Sequence, residues 1–256
     1  MPFLQIAGAD TIMLIMDVSV AWQRWAVNTI LIQTDAAKRA NMTVSSGNTT
    51  LIIVRHGETE ANIGQVWQGS LDAPLTPKGE RQADAAAERL RELNETYVVD
   101  RFYVSPLGRT QRTAAPIAST LGMEPVLEDG LREFDLGDWE GRAFQDLRDN
   151  ERLWERWAAA PKFTPPNGES PYLVNRRAEA IYNELAQRHP GETVLTVTHG
   201  GIICNVLANW LGDGPQDWQS WHPHNCAITV LRQNGDGWDA VLSNDISHLP
   251  PDLLRH

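Results

Sequence analysis

The stretch LIIVRHGETEAN, Leu51 to Asn62, opens with four apolar residues and runs straight into Arg55, His56 and Gly57. A short continuous apolar run closed by a glycine reads as a strand buried on both faces. Buried strands ordinarily end in turn residues; this one ends in a fixed positive charge and an imidazole. A second run, TVLTVTHGG from Thr193 to Gly201, ends in His199 followed by Gly200 and Gly201. Strand and helix patterns alternate from Leu51 onward, which predicts an α/β fold. In an open, mostly parallel sheet the carboxyl ends of the strands share one edge, where ligands bind. If the two strands are parallel neighbours, His56 and His199 face each other at that edge.

A lone histidine at a strand end is more often a satisfied or surface residue than a functional one. Two such ends, each followed by glycine, weaken that reading. A third piece, SPLGRTQRTA from Ser105 to Ala114, follows the short strand Arg101–Val104 and puts Arg109 in a first helical turn, with Arg112 one turn on. A guanidinium offers a planar fork of donors that matches phosphate oxygens. The helix opened by Gly200 and Gly201 adds free N–H groups and a positive dipole end. The acidic stretch EDGLREFDLGDWEG, Glu128 to Gly141, supplies six carboxylates, Glu128, Asp129, Glu133, Asp135, Asp138 and Glu140. Spacing alone does not choose a proton donor among them.

Composition sets limits. The 256 residues carry a net charge of −11, so a nucleic-acid or acidic-membrane partner is not expected. Cys204 and Cys226 are too few for a disulfide framework and show no metal-ligand spacing; a reduced, cytoplasmic setting is the expectation. No window reaches the ~20 apolar residues of a membrane span. Residues 1–41 differ from the rest. Asp17 to Ala40 has a helical stripe, and the polar run Asn41 to Thr50 separates it from the first strand. The expected organisation is an N-terminal appendage over 1–41, weakly packed or an over-long start, before a domain over 42–256.

The four blocks LIIVRHGETEAN, SPLGRTQRTA, LREFDLGDWEG and VTHGG, in this order, resemble the histidine phosphatase superfamily, which includes the cofactor-dependent phosphoglycerate mutases. The resemblance spans about residues 51–249. It implies a three-layer α/β/α sandwich with a mixed, mostly parallel central sheet and a reaction through a phosphohistidine. Carried over residue by residue, it makes His56 the nucleophile and sets Arg55, Arg109 and His199 around the phosphate oxygens. Asn62 and the Gly200 N–H would donate to the same phosphate, and Gln68 and Gly69 would lie near it. The L-R-E and L-G-D-W-E-G pattern selects Glu133 as proton donor, a role that suits a carboxyl with a raised pKa near apolar groups such as Phe134. The family uses no metal, so His222 and His224 read as rim or structural residues. No cofactor is implied.

The first block reads ETEAN rather than the mutases' E-S-x-W-N, and FDLGDWEG lacks their H-Y-G run. Both features resemble the branch of broad-specificity and α-ribazole phosphatases. The implied function is metal-independent hydrolysis of a small phosphomonoester; the alternatives are mutase-type phosphoryl transfer and a phosphate-binding module without turnover. The organic part of the substrate should meet Trp67 and the segment 143–170, where Trp154 and Trp157 either line the pocket or pack a helix onto the body. The expected partner is a small phosphate ester, and a homodimer stays open.

Overall fold

The computed structural model of the protein describes residues 47–235 and 237–254. The expected appendage over 1–41, its helix over 17–40 and the start of the domain at residue 42 lie outside the described residues.

In chain order the elements are β1 (Thr50–Arg55), α1 (Glu60–Ile63), α2 (Pro77–Asn94), β2 (Arg101–Val104), α3 (Gly108–Leu121), β3 (Val126–Leu127), α4 (Phe144–Asp149), α5 (Leu153–Ala159), α6 (Pro171–Arg188), β4 (Thr193–Thr198), α7 (Gly200–Trp210), β5 (Ile228–Asn234), β6 (Gly237–Asp245) and α8 (Pro251–Leu254). The strands form one sheet in the order β3-β2-β4-β1-β5-β6. β1 is parallel to β4, and β2 is parallel to both β4 and β3. β5 runs antiparallel to β1, and β6 antiparallel to β5. The mixed, mostly parallel sheet expected from the sequence is present.

Side chains alternate across each strand, and the two faces belong to two separate cores. Leu51, Ile53 and Val194 pack with Val174, Ala178, Ile181 and Leu185 of α6 and with Ile202 and Val206 of α7. Ile52, Val54, Leu195 and Val197 pack with Ala87, Leu90 and Leu93 of α2 and with Ala114 and Ile117 of α3. This is why LIIV shows no alternation in sequence: helices cover both faces of the strand.

Local signals place the helix ends. Thr76 caps α2, its hydroxyl accepting from the Gly79 N–H at 2.9 Å, and Pro77 occupies the first turn. α3 stops at Gly122, whose φ of 64° is left-handed. It starts at Gly108, where Leu107 offers no capping side chain and the cap comes from Asp72 instead. The Asp72 carboxylate accepts from the Gly108 N–H (2.6 Å) and the Arg109 N–H (3.1 Å). Among the described residues no helix is long and apolar enough to cross a membrane.

Candidate active site

The sheet register brings the two histidines together. Arg55 pairs with Thr198, so the next residues, His56 and His199, leave their strands side by side. Their ring centroids lie 5.3 Å apart. His56 Nδ1 is 2.8 Å from the Gly57 carbonyl. A carbonyl only accepts, so the ring proton sits on Nδ1 and Nε2 keeps its lone pair. His56 is 2% exposed. Burial, helped by the Arg109 and Arg55 charges, holds its pKa well below the usual histidine value, so the imidazole is neutral at neutral pH.

His199 is fully buried, with Nε2 2.8 Å from Ser105 Oγ. The Val104–Val197 pairing of β2 with β4 sets Ser105 beside this end of β4. Ser105 Oγ also accepts from the Leu107 N–H (3.4 Å). His199 Nδ1 is buried without a partner among the described residues. His199 is therefore not on the cavity wall: it stands behind His56.

Arg55 and Arg109 frame the pair. Arg55 Nη1 donates to the Pro223 carbonyl (2.6 Å). Arg109 Nη1 and Nη2 donate to the carbonyls of Leu71 (2.8 Å) and Gly69 (2.7 Å), and its guanidinium lies 3.6 Å from Asp72. Asp72 thus caps α3 and aims its first-turn arginine. The Nε atoms of Arg55 and Arg109 are buried with no partner among the described residues. Buried unpaired donors are costly in a finished core, and at a phosphate site they are donors in waiting. Burial lowers both guanidinium pKa values from their ordinary value, and the Glu133 carboxylate opposes that shift.

Glu133 is held by a clamp on an irregular loop. Arg177 of α6 pairs with Glu169 (2.7 Å) and donates to the carbonyls of Gly130 (3.1 Å), Arg132 (2.7 Å) and Glu133 (3.2 Å). Thr198 of β4 donates to the Leu131 carbonyl at 2.8 Å. The Glu133 carboxylate accepts from the N–H groups of Phe134 (2.8 Å) and Gly201 (3.2 Å). A Cβ at 201 would run into that carboxylate, so any side chain there would have to displace Glu133. Of the six candidate carboxylates, Glu133 alone lines the cavity. Glu140 instead accepts from the Leu71 N–H (3.1 Å), and Glu128 pairs with Arg188 (3.2 Å).

These groups open onto one cavity of about 460 Å³. Arg55, His56, Asn62, Trp67, Gln68, Gly69, Arg109, Glu133 and Gly200 all contribute to its wall. Gln68 Nε2 donates to Thr59 Oγ1 at 2.9 Å. Trp154 lines the cavity, whereas Trp157, 4% exposed, packs behind it, so the two alternatives weighed for this pair each hold for one residue. Glu58 lies off the wall, bonded to Lys78 (2.6 Å) and Thr76 (2.9 Å), and braces the loop on α2.

The residues before β5 also reach the site. β5 begins opposite Val54, so the incoming chain must cross the end of β1. Asn225 Nδ2 donates to the His56 carbonyl (3.0 Å) and to Asn62 Oδ1 (3.3 Å), and His222 and His224 line the cavity mouth. WHPHN could have been placed there only by knowing that β5 runs antiparallel. Among the described residues no group of three or more His, Cys, Asp and Glu is placed to hold a metal ion.

The neutral histidines have a consequence for stability. His56 and His199 both sit well below their ordinary value, with burial the largest cause for each. In the unfolded chain they titrate at about 6.5. Below that pH the unfolded state binds protons that the fold refuses, so stability is full above about 6.5 and falls as pH drops, with a slope of up to about 1.4 kcal/mol per pH unit for each group. Urea midpoints at pH 7.5 and 5.5 should differ clearly in this direction. Equal midpoints would contradict buried, neutral histidines.

Comparison with known proteins agrees with this geometry. The sequence model of the histidine phosphatase superfamily (branch 1) matches residues 51–246. A probable phosphoglycerate mutase GpmB of Cronobacter sakazakii is 35% identical over 209 residues, covering 79% of this chain and 95% of that protein. The phosphoserine phosphatase of Entamoeba histolytica, solved with 3-phosphoglyceric acid, superposes with a TM-score of 0.71 at 28% identity, covering 79% of this chain and all of that one. A mycobacterial glucosyl-3-phosphoglycerate phosphatase gives a TM-score of 0.67 at 29% identity, over 76% of this chain and 98% of its own. A family match over most of the chain, on a mixed sheet with two histidines at one edge, shows that this protein belongs to the histidine phosphatase superfamily (branch 1), as an enzyme of phosphoryl hydrolysis or transfer through a phosphohistidine.

Proposed function

We propose that the protein is a metal-independent phosphomonoester hydrolase with His56 as its nucleophile. Nε2 attacks phosphorus, the bond to the ester oxygen breaks, and Glu133 gives its proton to the departing alkoxide. Water then attacks the phosphohistidine and loses a proton to Glu133, the P–N bond breaks, and its electron pair returns to Nε2. The sum is ester plus water to alcohol plus phosphate. Arg55 and Arg109 hold the negative charge that grows on the phosphoryl oxygens, the service a metal would otherwise render. Asn62, Gln68 and the Gly200 N–H supply further donors. In this scheme His199 stands behind His56 and steadies its ring.

The observation that carries the reading is the His56 tautomer: Nδ1 is tied to the Gly57 carbonyl, so a neutral ring offers Nε2 between two arginines. Hydrolysis is favoured over transfer because the cavity wall holds few cations. Its Lys, Arg, Asp and Glu side chains among the described residues are Arg55, Arg109 and Glu133. That set suits one phosphate dianion and leaves no cation for the second anionic group of a bisphosphate or phosphoglycerate.

The second reading, a mutase, draws on the names of sequence relatives such as GpmB of Cronobacter sakazakii. Supplying 3-phosphoglycerate with a 2,3-bisphosphoglycerate primer separates the two. A hydrolase forms no 2-phosphoglycerate, while the same preparation releases inorganic phosphate from p-nitrophenyl phosphate. Accumulation of 2-phosphoglycerate would replace this reading with the mutase.

A further inference from the structure

The cavity has two unlike halves. One is the cluster of His56, Arg55, Arg109 and Glu133; the other is aromatic, formed by Trp67, Phe144, Trp154 and Trp218. Resting on the reading of the site as a phosphomonoester hydrolase, we propose that its substrate is the phosphate of a neutral, ring-bearing alcohol whose flat apolar group seats on this wall.

The wall is built rather than incidental. Trp67 is its hub, with ring centroids 5.4 Å from Phe144, 5.8 Å from Trp154 and 5.8 Å from Trp157. Buried Trp157 backs both Trp154 (6.1 Å) and Trp218 (6.3 Å). The Trp67 backbone is fixed on both sides, its N–H donating to the Arg142 carbonyl (3.0 Å) and its carbonyl accepting from the Gly141 N–H (2.8 Å). Arg142 in turn pairs with Asp146 (2.6 Å) and Glu151 (2.8 Å). Aromatic faces left half-open to water beside a charged centre match the usual make-up of a small-molecule pocket, mostly apolar with a few convergent polar groups.

Charge argues the same way. The nearby cations face elsewhere: Arg148 pairs with Asp149 (2.7 Å), Arg156 lies 5.1 Å over Phe163, and Lys162 lies 5.0 Å over Tyr172. Beyond Arg55 and Arg109, which the phosphate takes, the wall's described residues include no Lys or Arg to pair with a carboxylate on the organic part. A cavity of about 460 Å³ holds a phosphate and one or two rings. Aromatic rings at 4.5–7 Å attract flat apolar groups by stacking or edge contact beyond simple burial.

Three esters with similarly basic alkoxide leaving groups isolate this effect from chemistry: 2-phenylethyl phosphate, propyl phosphate and glycerol 1-phosphate, each measured as kcat/KM with the full chain. The phenylethyl ester should exceed the propyl ester by about 30-fold, the yield of burying one phenyl group, with glycerol 1-phosphate no better than propyl. Trp154→Ala should shrink the phenylethyl-to-propyl ratio by about tenfold. Trp154→Leu, which keeps apolar volume without the ring, should shrink it less and guards against a folding defect in the alanine variant. A wild-type ratio near one, with p-nitrophenyl phosphate still turned over, overturns the aromatic subsite alone. A ratio untouched in both variants overturns the placement on Trp154. No turnover of any ester, p-nitrophenyl phosphate included, overturns the hydrolase reading and this inference with it.

Discussion

His56→Ala should lower turnover by about 10⁴-fold or more, the scale of loss when a covalent nucleophile is removed, while inorganic phosphate still binds. The two outcomes separate because different parts of the fold supply them. The lone pair at Nε2 exists only in the imidazole. The phosphate donors do not depend on it: Arg55 is anchored on the Pro223 carbonyl, Arg109 on those of Gly69 and Leu71, and Gly200 opens a helix beside Arg55. Steady-state rates with p-nitrophenyl phosphate and calorimetric titration with phosphate check both halves. A variant within tenfold of wild type would remove His56 as nucleophile. Loss of phosphate binding along with turnover would make His56 a binding residue instead.

Glu133→Gln should split substrates by leaving group. For propyl phosphate the alkoxide cannot depart without a proton, and kcat/KM should fall by about 10²–10⁴, the range of general acid catalysis. For p-nitrophenyl phosphate the leaving phenolate needs almost no proton. Its kcat/KM, which reports steps through departure of the leaving group, should change little. kcat should fall for both esters, because the same carboxylate serves as base toward water in the second step. Glutamine can keep the contact to the Phe134 or Gly201 N–H through its carbonyl, so the loop on Arg177 stays in place. Equal loss of kcat/KM on both esters would argue against Glu133 as the acid.

Much of this site was readable from the strands. An apolar run ending in Arg55-His56 and another ending in His199-Gly200 needed only a parallel pairing to meet, and the β1–β4 register supplies it. Arg109 followed from its place in the first turn after β2. What stayed hidden depends on long-range packing. Asp72 lies 37 residues from the Arg109 backbone N–H that it caps, and no local pattern links them. Asn225 reaches His56 across 169 positions because β5 runs antiparallel. The withdrawal of His199 from the cavity wall was equally out of reach: it depends on the Ser105 hydroxyl, which the β2–β4 pairing brings to its side. Trp154 and Trp157 sit three residues apart on one short helix, one facing the cavity and one the core, and sequence offers no sign of which is which.

The central claim is that the phosphoryl group passes through His56, and Glu133→Gln makes that step visible. With p-nitrophenyl phosphate the first half-reaction needs no acid and the second lacks its base, so the phosphoenzyme should accumulate. A rapid alkaline quench followed by peptide mass spectrometry reads it directly. The expected result is a nitrophenolate burst of about one per active site and a single acid-labile phosphoryl group on the peptide containing His56. A linear trace with no burst and an unmodified peptide, or a phosphoryl group on any other residue, would contradict the account.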